Sequence, residues 1–189
     1  MTALTREAIL EKIEKGESLA GLDLTAADLS YSNLKNVDFS GANLNGAHLQ
    51  NANLEGANLG GASLENAFLF GSNLKTANLE RAVLKGANLQ DTNMEGAILR
   101  ETDLSGLSMF GAQLDGAVLE KAVLKNTKLK RASLTGANLR GADLSDAHLQ
   151  RAVLKNADLR NAVLRGTNLK CVDLESANTE GADLEGSIQ

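Results

Sequence analysis

The sequence predicts an all-β solenoid in which very short extended pieces, joined by bends, coil so that one set of side chains points inward. Three observations predict it. Every fifth residue from Leu24 to Leu184 occupies one apolar slot without a slip of register, and 29 of the 33 slots hold Leu, the others being Phe39, Met94, Met109 and Thr179. Two residues before each slot stands a second small or apolar residue, Ala in 23 of the 33 cases. Two residues after it a turn former is common, as at Gly41, Gly46, Asn51, Gly56, Gly61, Asn66 and Gly71.

Neither regular element carries such a period. Five residues along a helix drift by about 140°, so the Leu stripe would wander around the cylinder. Five along a strand send successive Leu to opposite faces. Within one unit, Ala57-Asn58-Leu59, the spacing of two puts Ala and Leu on one side and Asn on the other; Gly60-Gly61 then turn the chain. A period this strict means one local unit solved once and stacked.

The units Ala42-Asn43-Leu44-Asn45-Gly46, Ala52-Asn53-Leu54-Glu55-Gly56 and Ala142-Asp143-Leu144-Ser145-Asp146 resemble the A-(D/N)-L-x-x repeat of the pentapeptide repeat family, and the resemblance runs over residues 22–186. It implies a right-handed quadrilateral β-helix with four repeats per coil, so that residues 20 apart stack on one wall. About eight coils at ~4.8 Å each would make a rod of about 40 Å. Leu-centred repeats behind a short N-terminal helix, uninterrupted by loops, are similar to the many cyanobacterial members of that family.

The two ends differ from the shaft. Residues 1–20 are expected to form an N-terminal helix and cap, and residues 21–189 the β-helix. Thr5 reads as an N-cap, Glu7 lies in the first turn, Lys15 in the last, and Gly16 can stop the helix. Ile9 and Ile13 share a face, with Leu10 beside them, which suits closing the exposed end of a coil stack. Leu19 is in phase and can begin a partial coil. At the C-terminus Thr179 breaks the Leu slot and no cap follows. Either the last coil frays, leaving a monomer, or two molecules abut end to end; relatives that dimerise through their C-terminal ends imply the second.

Composition narrows the function. The chain of 189 residues reads as one domain with a net charge of −5, mildly acidic, which does not suggest direct nucleic-acid binding. A single Cys171 excludes an internal disulfide and reads as a turn residue. No apolar run reaches membrane-spanning length and no secretory core is present at the start, so a cytoplasmic location is the expectation. No catalytic, cofactor-binding or metal-binding set is found. His48 and His148 share a wall but stand five coils apart, about 24 Å, too far to share a metal or a proton. The glycines follow the five-residue turn rather than a phosphate-binding motif. An enzyme is not expected, and neither is a cofactor.

The 20-residue register sorts the surface by wall. Lys35, Glu55, Lys75 and Glu95 stack on one, and Glu80, Arg100, Glu120 and Arg140 on another, opposite charges that pin register more than they stabilise. Asn33, Asn53, Asn73 and Asn93 form an amide ladder. The wall centred on Leu29, Leu49, Leu69, Leu89, Met109, Leu129, Leu149 and Leu169 is different. Phe68, Phe70 and Phe110 should point outward from it, and toward the C-terminus it carries Lys128, Lys130, Arg131, Arg151 and Lys170 with no carboxylate, Asp146 lying on the neighbouring corner. Either the rings pack locally beside a solvated charged strip, or this wall meets a protein partner, an acidic one at its basic end. The reading is therefore a non-enzymatic scaffold that presents flat β-helix walls to a protein partner. The resemblance also implies an alternative, a DNA-mimicking modulator of a type II topoisomerase such as gyrase. Mixed charges, a core of Leu rather than Phe, and uninterrupted coils count against it.

Overall fold

The computed structural model describes residues 4–189. One helix, α1 (Arg6–Glu14), precedes a stack in which every β-bridge is parallel and joins a residue to the one 20 positions further on, as in Asp23↔Asn43, His48↔Phe68 and Val118↔Asn138. Four five-residue units thus complete one turn of the coil. No side of a coil is longer than a single bridging residue, the one between the Ala and Leu slots.

The unit around Leu44 shows why this repeat closes. Leu44 N–H donates to the Ser63 carbonyl (2.7 Å) and Gly46 N–H to Glu65 (2.8 Å), both on the next coil. His48 N–H donates back to Ala27 (2.9 Å) on the previous one, and Ala47 N–H closes a turn on Leu44 (3.0 Å). That leaves one donor, Asn45 N–H, and the Asn43 side chain accepts it at 3.2 Å. All five N–H groups are satisfied with no strand longer than one residue. In all 19 repeats with Asn or Asp at this position, its Oδ1 accepts the N–H two residues on. The preference for Asn or Asp is thus a local Asx-turn requirement. Ladders come second: Asn53 donates to Asn33 (3.2 Å), Asn73 to Asn53 (3.1 Å), and Asn58 to Asp38 (3.0 Å). Where Ser63 or Ser133 stands instead, the orphaned N–H of Glu65 or Thr135 finds Asn45 or Asp115 of the coil before, each at 2.8 Å.

The turn's second residue adopts left-handed backbone in nearly every repeat, in residues as unsuited to it as Thr76 (φ 54°) and Arg131 (φ 62°) as well as in glycine. At Gly86 glycine also has a packing role. The Asn66 Oδ1 of the coil before lies 2.3 Å from where a Cβ would sit.

Every core slot from Leu24 to Leu169 is at most 2% exposed. Polar residues appear inside only at the Ala slots, and Thr102, Thr127 and Thr167 each donate to the carbonyl of Leu79, Leu104 or Leu144 on the coil before, at 3.1, 3.0 and 2.7 Å. At the N-terminal end, Thr5 caps α1 by accepting from Ala8 N–H (3.3 Å), and Gly16 at φ 69° lets Glu17 N–H reach back to Lys12 (2.9 Å). The helix ends at Glu14, so Lys15 is its C-cap and Lys12 is the base of the last turn. Ile9 is fully buried, and Leu10 and Ile13 pack half-buried on the core. Arg6 clasps the helix to the first coil through the carbonyls of Asp28 (2.6 Å) and Ser30 (2.9 Å). Leu19 N–H already pairs with Asp38 (2.9 Å). At the other end Leu174, Thr179 and Leu184 are only half-buried.

Two rungs of the ladder are open. The bridge from Val83 to Asp103 is absent, with the bonds the repeat would place from Leu84 to Asp103 and from Gly86 to Ser105; the same holds between Val153 and Asp173. Val83 and Val153 are correspondingly 44% and 48% exposed. At the closed copies of this sequence, Val123 and Val163, a cation clasps the next coil, Lys125 to Asp143 (3.1 Å) and Arg165 to Asp183. Lys85 and Lys155 make no such pair among the described residues. Amide hydrogen exchange at Leu84, Gly86 and Asp103 is expected to run faster than at Leu124, Asn126 and Asp143. Equal protection at both sets would mean that the rung is closed in solution.

Six carboxylates at the Asx position, those of Asp23, Asp28, Asp38, Asp143, Asp158 and Asp183, are held below their ordinary range. For Asp23 and Asp28 the chief cause is the hydroxyl of Thr25 or Ser30, for Asp38 the Ser40 side chain, and the Arg160 side chain pulls Asp158 down to about 2. A group depressed on folding stabilises the fold above its unfolded pKa, and that stability is lost as pH falls through the folded value. Thermal midpoints are thus expected to drop between pH about 4 and about 2. Asp38→Asn keeps the acceptor and removes one titration, so it should shrink the drop. An undiminished drop would place the acid sensitivity elsewhere.

Candidate interaction wall

The wall centred on Leu29 to Leu169 is built by the alternation of the unit. Each core slot points inward, so the residues on either side of it point out. Phe68 and Phe70 flank Leu69 and are 44% and 42% exposed, whereas Phe39, in a core slot, is fully buried. Phe68 packs on His48 one coil before, ring centroids 4.9 Å apart. Phe110 is only half-buried rather than fully outward: the Arg131 guanidinium of the next coil lies over its ring, 5.9 Å from the centroid. Tyr31, at the N-terminal end of the same wall, is the most exposed aromatic at 76%. The sequence reading missed its place here. Its position two residues after Leu29 was the available signal.

Lys128, Lys130, Arg131, Arg151 and Lys170 are all exposed, and the first three stand together on one side of one coil and its corner. The structure brings the first of them together with an aromatic at one place, a shallow groove of about 410 Å³ lined by Gln90, Ser108, Phe110, Lys128, Lys130, His148 and Gln150. Phe68 and Phe70 lie two coils before Phe110, and Arg151 and Lys170 beyond it.

Elsewhere most cations are spoken for. Lys35 meets Glu55 (3.0 Å), Lys75 meets Glu95 (2.9 Å), Arg81 meets Glu101 (3.6 Å) and Arg100 meets Glu120 (3.8 Å), each one coil on. Arg160 holds Asp158 through two bonds, and Arg165 reaches Asp183 and Glu185. None of the five cations of this wall has an ion-pair partner among the described residues. Gln50 and Gln150, on the same wall, each bury an Oε1 that has no partner. Among the described residues no three His, Cys, Asp or Glu side chains cluster as a metal site would need, and no helix is long and apolar enough to cross a membrane. Cys171 is exposed in a turn at φ 61°.

Comparison with known proteins agrees with this architecture. The sequence pattern described as pentapeptide repeats matches in eight copies, over residues 18–46, 38–75, 77–112, 108–146 and 147–186. Among solved structures, the chain is similar to HetL, a pentapeptide repeat protein involved in heterocyst differentiation regulation from the cyanobacterium Nostoc sp. strain PCC 7120. Identity is 33%, over 97% of this chain and 96% of HetL, with a TM-score of 0.51. It is also similar to a trypsin-treated variant of QnrB1, a plasmid-mediated fluoroquinolone resistance protein, at 23% identity over 88% of each chain and a TM-score of 0.78; that likeness concerns the fold alone. Among curated proteins none matches the chain. No catalytic family is indicated.

Proposed function

This chain belongs to the pentapeptide repeat family, and on that premise we propose that it is a non-enzymatic, cytoplasmic scaffold whose aromatic-to-basic wall docks a protein partner. Our reading of the coil is right-handed with about eight turns. The observation that carries the proposal is the coincidence on one wall of exposed rings (Phe68, Phe70) and cations left without ion-pair partners, while basic residues elsewhere are mostly paired within the molecule. Exposed apolar patches beside uncompensated charge mark contact sites. HetL, involved in the regulation of heterocyst differentiation, supports a regulatory binding role and a cyanobacterial setting for this chain.

The test is affinity capture with wild type against Phe68→Ser/Phe70→Ser/Phe110→Ser, with unchanged circular dichroism as the control for folding. Loss of a specific partner from the triple variant is the expected result. An identical set of captured proteins would remove this wall as the site. The gyrase alternative is weakened by charge ladders that neutralise most walls, because a DNA mimic needs an unbroken negative surface. Unchanged supercoiling by gyrase, with or without a quinolone, is the outcome expected here. The half-buried C-terminal coil is compatible with a monomer or an end-to-end homodimer, which light scattering separates.

A further inference from the structure

The geometry points to a partner of defined chemistry for this wall: an extended protein segment carrying apolar side chains at one end and a run of carboxylates at the other. This rests on the reading of the wall as a docking face and specifies what docks there. The two features are segregated along the shaft. Phe68 and Phe70 sit where no cation of this wall lies; Asp91 stands one coil on, and Asp28, two coils before, is paired with Arg6 (3.5 Å). Lys128, Lys130, Arg131, Arg151 and Lys170 begin three coils later, about 14 Å up the wall at strand spacing, and run to about 24 Å. An extended chain covers 14 Å in about four residues. The matching segment therefore carries its apolar side chains about four to six residues from its acidic cluster.

Complementarity also selects the class of macromolecule. A single-stranded nucleic acid has a phosphate at every step and needs cations interleaved with its stacking platforms. Here, among the described residues, only Phe110 has a cation over it, and Asp91, which has no ion-pair partner among them, would repel phosphates beside the aromatic end. The net charge of −5 further opposes a polyanion that is uniform along its length, whereas a short acidic run sees mainly the five unpaired cations. The half-buried Phe110 ring, with Ser108 and His148 lining the same groove, marks the point where the apolar end gives way to the charged one.

The probe is a fluorescein-labelled peptide with two large apolar residues, a Ser/Gly spacer of about four residues and four Glu, titrated against the full chain by anisotropy. Binding is expected to weaken with salt, by about tenfold or more in Lys128→Glu/Lys130→Glu/Arg131→Glu, and severalfold in Phe68→Ser/Phe70→Ser. It should be unchanged in Lys85→Glu/Lys155→Glu, which reverses unpaired cations on other walls. No binding, or an equal loss in that control variant, would overturn the proposal. Tighter binding of an oligothymidylate than of the peptide would assign the wall to nucleic acid instead. If a native partner lost by the triple Phe variant is still captured by the charge-reversed one, the wall remains a docking face and the acidic segment is excluded.

Discussion

Leu114→Ala is expected to lower the free energy of unfolding by about 2–5 kcal/mol, and Leu184→Ala by about 1 kcal/mol or less. Both occupy the same slot of the repeat. Leu114 is fully buried, with Met94 and Leu134 in the slots directly before and after it in the stack, so the cavity cannot be filled from either side. Leu184 is half-buried on the last coil, where solvent already reaches the interior and the chain can settle. Urea unfolding followed by circular dichroism gives both numbers. Equal costs at the two sites would mean that the stack does not have a closed middle and an open end.

The second large effect is at the other end. Ile9→Asp is expected to cost about 3 kcal/mol or more, because it places a carboxylate at a fully buried position against the apolar floor of the first coil. Ile9→Leu, which conserves volume, should cost less than about 1.5 kcal/mol. The Asp variant should lose exchange protection first at Leu24 and Leu29, and should associate at raised concentration as unpaired rungs are uncovered. A variant that melts like wild type and stays monodisperse would show that α1 is an appendage rather than a seal.

Much of this was legible in the residues because the five-residue period leaves few solutions. Leu, Phe39, Met94 and Met109 in one column, Ala in the next and turn formers between them dictate inward and outward positions one residue at a time. The outward placement of Phe68 and Phe70 follows directly. Phe110 shows where that logic stops: its exposure depends on a rotamer of Arg131, 21 positions later, and periodicity says nothing about rotamers. Spacing alone makes the Asn and Asp column a ladder, whereas its first role is to accept a turn N–H that would otherwise be orphaned. That role lies in backbone accounting, invisible to side-chain spacing. The open rungs were not legible either. Val83 and Val123 sit in near-identical pentapeptides; in the next coil both face an Asp, with Thr102 before Asp103 where Ala142 precedes Asp143, and Lys125 pairs with its Asp where Lys85 does not. The unpaired cations of the candidate wall were visible as residues, but their lack of partners depends on which side chains the coil brings within reach.

The most direct test of the account is the separation of two residues that the coil places on one wall. In a Cys171→Ser background, spin labels at Lys35→Cys and Lys155→Cys stand six coils apart, since they differ by 120 residues and each rung joins residues 20 apart. Pulsed dipolar spectroscopy should give one narrow distance near about 29 Å, six steps of strand spacing. A broad distribution, or a mean beyond the labels' own reach of that value, would contradict a stack of 20-residue coils.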